Sequence, residues 1–331
     1  MKKCNILFED LISIENLLAA WQGFLLGKSK RKDVILFRRN LADEILCLHL
    51  DLATGNYRHG SYHEFHIQDP KPRVIHKACV RDRVLHHAIF NALYPFWNTL
   101  FIHDSYASRE GKGLHKAIDR LETFSRKSSK NHRRTGWILK CDIQKFFASI
   151  DHYKLMELLE AHIADQRVLH LLAGIIDSFS INTGKGIPLG NLTSQLFANV
   201  YLNELDQFVK NQLHEPFYIR FADDFVFLSD QKAHLIQTLA KVDAFLKRDL
   251  DLRLHPRKVS LRTVASGNDF LGWIHFPEHR TPRKRLILRS KQGVVQTHDR
   301  QILASYLGLF QHGDAYDLSQ ELKNLFWIAE E

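Results

Sequence analysis

The sequence predicts an α+β protein built around a β-hairpin, and three observations carry that reading. Phe217-Tyr-Ile-Arg-Phe-Ala-Asp-Asp-Phe-Val-Phe-Leu-Ser229 sets two short aromatic and β-branched runs on either side of Ala222-Asp223-Asp224. That is the pattern of a strand, a tight turn and a returning strand. Trp137-Ile-Leu-Lys-Cys-Asp142 is a second strand-like run, again closed by a carboxylate. Long segments with apolar residues at helical spacing lie before and after these strands.

The chain has 331 residues, 45% of them hydrophobic, enough to bury a substantial core and to form about two domains. Its net charge of +9 is clustered in Lys28-Ser-Lys-Arg-Lys32, Arg126-Lys-Ser-Ser-Lys-Asn-His-Arg-Arg134 and Arg280-Thr-Pro-Arg-Lys-Arg285. Each run taken alone reads as a solvated loop; together with an acidic centre they fit a groove for a polyanion. Four cysteines without Cys-x-x-Cys spacing speak against a zinc site and a disulfide framework. The scattered histidines, His86-His87 included, show no metal-ligand pattern and read as surface or core residues. No signal peptide and no apolar run of about 18 residues are present, so a cytoplasmic protein with no membrane association is expected.

In chain order, residues 6–25 space Leu7, Leu11, Ile14, Leu17, Leu18 and Trp21 as one amphipathic helix, and residues 41–53 repeat the pattern before Gly55. Tyr62 to Ile67 and Arg73 to Ile75 read as a hairpin around Asp69-Pro-Lys-Pro72. A helix from Asp82 to Trp97 is expected to close near Pro95. Gly111-Lys-Gly113 leads into a helix through Ile118 and Leu121. Backbone N–H groups there can cradle a phosphate, although an ordinary loop entering a helix has the same composition. Residues 152–179 hold two further helices. Gly184-Lys-Gly-Ile-Pro-Leu-Gly190 opens a long helix from about Thr193 to Leu213, and residues 231–248 hold another. Residues 298–328 read as two more.

Asp is a common turn residue, so either acidic site taken alone also reads as a hairpin tip closed by side-chain bonding. Two strand-end carboxylate sites together point to a pair of divalent metals about 3.5–4 Å apart, clamping an in-line phosphoryl transfer. Hard oxygen ligands suit Mg²⁺, with Mn²⁺ as the alternative.

The order and spacing of Asp142 with Phe147, of Gly186-Ile-Pro-Leu-Gly-Asn-Leu-Thr-Ser-Gln195 and of Phe221-Ala-Asp-Asp224 resemble the palm of a reverse transcriptase. Most bacterial reverse transcriptases, such as those of group II introns, carry Pro-Gln-Gly and then Ser-Pro in the middle block. Pro188-Leu189-Gly190 and Ser194-Gln195 stand here instead, and are similar to the enzymes of diversity-generating retroelements. The resemblance implies a right-hand polymerase fold with fingers, antiparallel-sheet palm and short helical thumb. It divides the chain into an N-terminal helical extension (1–60), fingers and palm (61–282) and thumb (283–331).

It further implies that Asp142, Asp223 and the backbone carbonyl of Ile143 hold two Mg²⁺, with Asp224 in support. Lys71 and Arg73 would grip the incoming triphosphate, as Arg forks and Lys charges suit phosphate oxygens. Phe147 would exclude a 2′-hydroxyl by shape. Leu189, Gly190 and Gln195 would line the nucleotide pocket, with Lys258 or Arg257 near the phosphates. Arg109 and Lys112 would meet the template backbone, and Asp269-Phe-Leu-Gly272-Trp273 would be the strand that grips the primer end. The implied partners are a template RNA, the cDNA or primer strand, dNTPs and a small basic accessory protein. Rival readings are a phage-defence or group II intron-like reverse transcriptase and an inactive RNA-binding scaffold. Asn91-Ala-Leu-Tyr94 lacks the His of the retron motif.

Overall fold

The computed structural model describes residues 2–68 and 72–328, so Lys71 lies outside the described residues. The chain forms two compact units. One takes Met1–His103, Ile143–His214 and Val242–Leu254; the other takes Asp104–Asp142, Glu215–Lys241 and His255–Glu331.

The first unit opens with α1 (Phe8–Ile12), α2 (Ile14–Leu25), α3 (Lys32–Arg39) and α4 (Leu41–Ala53). The single helix expected over 6–25 is in fact two. The Ser13 hydroxyl accepts from the Asn16 N–H at 3.2 Å and caps a new helix, which ends the first after five residues. The basic run at 28–32 passes directly into α3, whose Val34 and Phe37 are buried. A hairpin follows, β1 (His63–Ile67) with β2 (Arg73–Lys77), Ile67 opposite Arg73.

The next helix, α5 (Val80–Leu100), runs through Pro95 rather than closing there. Pro removes one helical hydrogen bond, to the carbonyl four residues back. Asn91 and Pro95 both lie on the exposed face, where water can take that carbonyl. Leu93, Tyr94 and Trp97 stay buried and hold the helix on the core.

After α6 (Leu114–Ser128) and β3 (Trp137–Asp142), both in the second unit, the chain returns to the first. It forms α7 (Phe146–Ser149), α8 (His152–Glu160), α9 (Gln166–Asp177) and α10 (Leu192–Gln207), which ends in a π-turn over Phe208–Gln212. Leu196, Phe197, Val200, Tyr201, Leu202 and Leu205 are all buried, so α10 is the central helix of this unit.

The second unit is built on an antiparallel sheet of order β4 (Tyr218–Phe221), β5 (Asp224–Ser229), β3, β6 (Ser260–Thr263). Ile138, Ile219, Val226 and Leu228 share one face and pack with Ala117, Leu121 and Phe124 of α6. Tyr218, Phe225, Phe227 and Leu139 occupy the other face and are equally buried. Burial on both faces explains why the sequence runs apolar without alternation.

Beyond α11 (Lys232–Asp249) lie β7 (Asn268–Phe270), β8 (Trp273–His275) and β9 (Arg280–Pro282), a second antiparallel sheet. The two helices expected over 298–328 are present as α13 (Arg300–Phe310) and α14 (Tyr316–Ile328), and a further helix that the sequence did not suggest, α12 (Lys284–Thr297), precedes them. Only Ser290 and Val294 of α12 are fully buried, so its apolar period is too sparse to read from sequence. Trp273, Val294, Phe310, Leu322 and Phe326 form the core beneath these helices.

Gly313 seals that core. A Cβ there would lie 2.2 Å from Cζ3 of buried Trp273 and 2.8 Å from the Arg280 carbonyl oxygen. Gly313→Ala is therefore expected to cost about 1–3 kcal/mol through overpacking, read as a lowered Tm by scanning calorimetry. An unchanged Tm would mean that the indole shifts freely.

Candidate active site

Phe221 pairs with Asp224, which leaves Ala222 and Asp223 as a two-residue turn closing β4 onto β5. Ala222 has φ of +54° and Asp223 does not have positive φ, the sign pattern of a type II′ turn. Gly is the ordinary residue at that first position, so Ala must be held there. The neighbouring Arg220 does so. Its fully buried guanidinium donates from Nη1 to the Ala222 carbonyl at 3.2 Å and from Nη2 to Ser105 Oγ at 3.1 Å.

Pairing of β3 with β5 then sets Asp142 directly opposite Asp224, one residue from the turn. Asp142 is buried; its Oδ1 accepts from Lys258 Nζ at 2.6 Å, and its backbone carbonyl accepts from the His255 N–H at 2.7 Å. Lys140, on the same face of β3 as Asp142, donates to the Asp269 carbonyl at 2.9 Å and lies 3.7 Å from Asp224 Oδ1. Burial, and after it the charge of Asp142, push the Asp223 carboxyl up to about 6. Asp224 adds to the rise and Lys258 opposes it.

Among the described residues no group of three or more His, Cys, Asp or Glu side chains is arranged to hold a metal ion unaided. Mg²⁺ characteristically takes one or two carboxylates and completes its shell with water and substrate phosphate. The Asp142–Asp223 pair fits such an open site. The charge of Asp142, which adds to the effect of burial on Asp223, is also what a divalent cation would offset.

Of the residues expected around a nucleotide, Arg73, Phe147, Leu189, Gly190 and Gln195 lie in the first unit, and Lys258 lies in the second. Arg73 is exposed at the start of β2. The His76 N–H donates to the Leu189 carbonyl at 3.0 Å, and Asn191 Nδ2 donates to the His76 carbonyl at 3.2 Å, tying the 189–191 segment to that strand. Gly190 has φ of +108°, and a Cβ there would meet Ile75 Cγ2 at 2.7 Å, so close packing on β2 already demands glycine. Leu189 is half-buried and Gln195 exposed on the first turns of α10. Phe147 is half-buried on α7, its ring edge-on to buried Phe146 at 5.4 Å, and its carbonyl accepts from the Ile187 N–H at 2.9 Å. Ile143 is buried in this unit and bridges to Leu254.

In the second unit, residues 104–106 run parallel to β4: the Arg220 N–H donates to the Asp104 carbonyl and the Tyr106 N–H to that of Arg220. This anchors the loop of Arg109 and Lys112. Arg109 Nη1 donates to the Ser105 carbonyl at 3.0 Å, and Lys112 Nζ lies 5.2 Å from the centre of the Tyr106 ring. The single strand expected over Asp269–Trp273 is instead two: Gly272 (φ +91°) forms with Leu271 (φ +52°) the turn between β7 and β8, because two successive residues at positive φ reverse the chain. Sequence reasoning missed Arg220 and Lys140. Arg220 carries a signal: a lone charge inside an apolar strand run is rarely left without a buried task.

Residues 67–275, more than half of the chain, match the family described as reverse transcriptase (RNA-dependent DNA polymerase). The chain belongs to the reverse transcriptase family. It is similar to protein YkfC of Escherichia coli, 26% identical over 294 residues, 76% of this chain and 74% of that protein. It is also similar to the group II intron-encoded protein LtrA of Lactococcus lactis, 30% identical over 134 residues, but spans only 21% of LtrA. Among solved structures it shares the fold of apo telomerase from Candida tropicalis (13% identity, TM-score 0.51) and of Candida albicans telomerase with a fragment of telomeric RNA (12%, 0.52). The matches cover 82% and 81% of this reverse transcriptase but 57% and 54% of the telomerase chains. The fold expected from the sequence is thus the fold found, and the enzyme class is that of RNA-directed DNA polymerases. Among the described residues no helix is long and apolar enough to cross a membrane.

A carboxyl held at about 6 binds its proton more tightly in the folded than in the unfolded chain. Without metal this costs stability, starting from nothing at about pH 4 and reaching its full size above about pH 6. In chelating buffer at about pH 7.5, Asp223→Asn should therefore melt above the parent, the gap closing as pH falls towards 4. The same variant should lose primer extension. A folded Asn variant with parental activity would remove Asp223 from the catalytic set.

Proposed function

We propose that this reverse transcriptase copies a template RNA into cDNA in a diversity-generating retroelement, with frequent error at template adenines. The observation that supports nucleotidyl transfer is the in-register placement of Asp142 opposite Asp224, with Asp223 on the adjoining turn. Two ions bound there would supply Lewis-acid polarisation of the phosphoryl group and of the primer hydroxyl. The chain's own part is to hold and orient. Asp142, Asp223 and the Ile143 carbonyl are the proposed ligands, with Asp224 in support. Lys258, which donates to Asp142, is the proposed cation for departing pyrophosphate. Arg73 would bind the triphosphate, Phe147 would reject ribose, and Arg109, Lys112 and Gly272 would contact primer or template.

The retroelement reading rests on Leu189 and Gln195. A small basic accessory protein would belong to the same assembly, and residues 283–331 would serve as thumb. The similarity to LtrA favours a second reading, a group II intron-like enzyme. An inactive RNA-binding scaffold has no use for the crowded carboxylates, and primer extension on a defined RNA with Mg²⁺ separates it from either enzyme. Extension that stops on chelation is expected; none under any divalent metal would leave the scaffold.

A Gln at position 189 could hydrogen-bond around the incoming nucleotide, whereas Leu offers only apolar contact. One such hydrogen bond is worth about 0.5–1.5 kcal/mol, or roughly 2- to 12-fold in selectivity. Leu189→Gln should lower misincorporation opposite adenine more than opposite the other bases, measured by sequencing cDNA from one RNA copied by both proteins. Identical error spectra would reduce Leu189 to packing.

A further inference from the structure

The basic run at 126–134 lies at the end of β3 opposite Asp142, and its backbone takes an unusual shape. At the end of α6 the chain takes Lys130, Asn131 and His132 through positive φ in succession (51°, 55° and 59°). Residues with a Cβ seldom do so, and never three together without support. Buried Ser129 gives that support. Its Oγ accepts from the His132 N–H at 3.0 Å and donates to the Ser125 carbonyl at 2.6 Å, while the Asn131 N–H donates to the Arg126 carbonyl at 2.7 Å. Lys127 in the last turn of α6 and Lys130 and Arg133 in this loop are exposed cations, none of them in an ion pair among the described residues.

Lys127 and Lys130 line a cavity of about 360 Å³ in the second unit, together with Phe217, Asp230, Gln231 and His234. The Phe217 ring is held edge-on by Phe124 at 5.3 Å. The acids there are already engaged. Glu215 accepts from Thr238 Oγ1 at 2.6 Å and lies 2.8 Å from His234 Nε2, and Asp230 faces Arg134 at 3.5 Å. The net demand of the rim is for negative charge. The basic loop joins the start of β3, whereas Asp142 stands at its end; at about 3.3 Å per residue the two are roughly 17 Å apart.

We infer that this cavity is a second nucleic-acid site, taking one unstacked nucleotide of a single strand outside the catalytic centre. Lys127 and Lys130 meet its phosphates, Phe217 packs on the base, and Gln231 and His234 meet the base edge. An aromatic wall with amide and imidazole groups behind a cationic rim suits a nucleotide better than an acidic peptide, which would use the rim alone. The inference rests on membership of the polymerase family, not on the retroelement reading.

Anisotropy titrations of the whole protein with labelled oligouridylate, and with oligothymidylate in a second arm, test it over a range of salt. Lys127→Glu combined with Lys130→Glu should weaken binding about ten-fold or more and flatten the salt slope by about 1.4, or 0.7 per lost phosphate contact. Extension of a minimal primer–template should stay at the parental rate. Phe217→Leu should weaken binding about five-fold or more with the slope unchanged. Tighter binding of the ribo-oligomer assigns the site to template, and of the deoxy-oligomer to product. Parental affinity and slope in the lysine variant would overturn the site, as would equal competition by polyglutamate, which would leave only a charged patch. Failure of the parent to extend any primer would sink the polymerase reading while the binding arms still judged the cavity.

Discussion

A slip of one residue between β3 and β5 would turn Asp142 to the opposite face of the sheet and separate it from Asp224, since side chains alternate along a strand. The acidic centre depends on that register. It is fixed from both sides: Leu139 opposite Phe227 and Ile138 opposite Leu228 fill different cores, so neither strand can move without exposing one of them. The two-residue turn adds a further stop, because Phe221 must face Asp224 for Ala222 and Asp223 to close it. Arg220, buried beneath, holds the one backbone position where alanine is an awkward choice.

The same register creates an electrostatic problem. Carboxylates gathered at one sheet end repel one another, and burial makes the repulsion stronger. Lys258 on Asp142 and Lys140 near Asp224 offset part of it, yet Asp223 remains well above the ordinary carboxyl range. A cation placed among these carboxylates would relieve that repulsion.

The first unit solves a different problem, keeping a glycine-rich segment in place. Backbone bonds from β2 to residues 189 and 191, and Ile75 packed where a Cβ at 190 would stand, make the segment part of the hairpin rather than a free loop. Leu189 is thereby held in a fixed pose by its backbone, whatever its side chain contacts. Phe147 is positioned in a similar way, through its carbonyl and the Ile187 N–H.

The sequence by itself determined the central hairpin, the strand that ends at Asp142 and the acidic residues, because aromatic and β-branched runs broken by paired Asp leave few other local solutions. Its block order also carried the family. Local reasoning failed where a distant or fine balance decided. Ser13 split a helix that periodicity would continue, Pro95 was tolerated because its face meets water, and α12 hid behind a mostly polar surface. Only the tertiary structure decided which cation meets which carboxylate, that Gly190 is required by Ile75, and that Arg220 stabilises the turn. Those facts arise from contacts between residues far apart in the chain, where packing geometry rather than local propensity sets the energy.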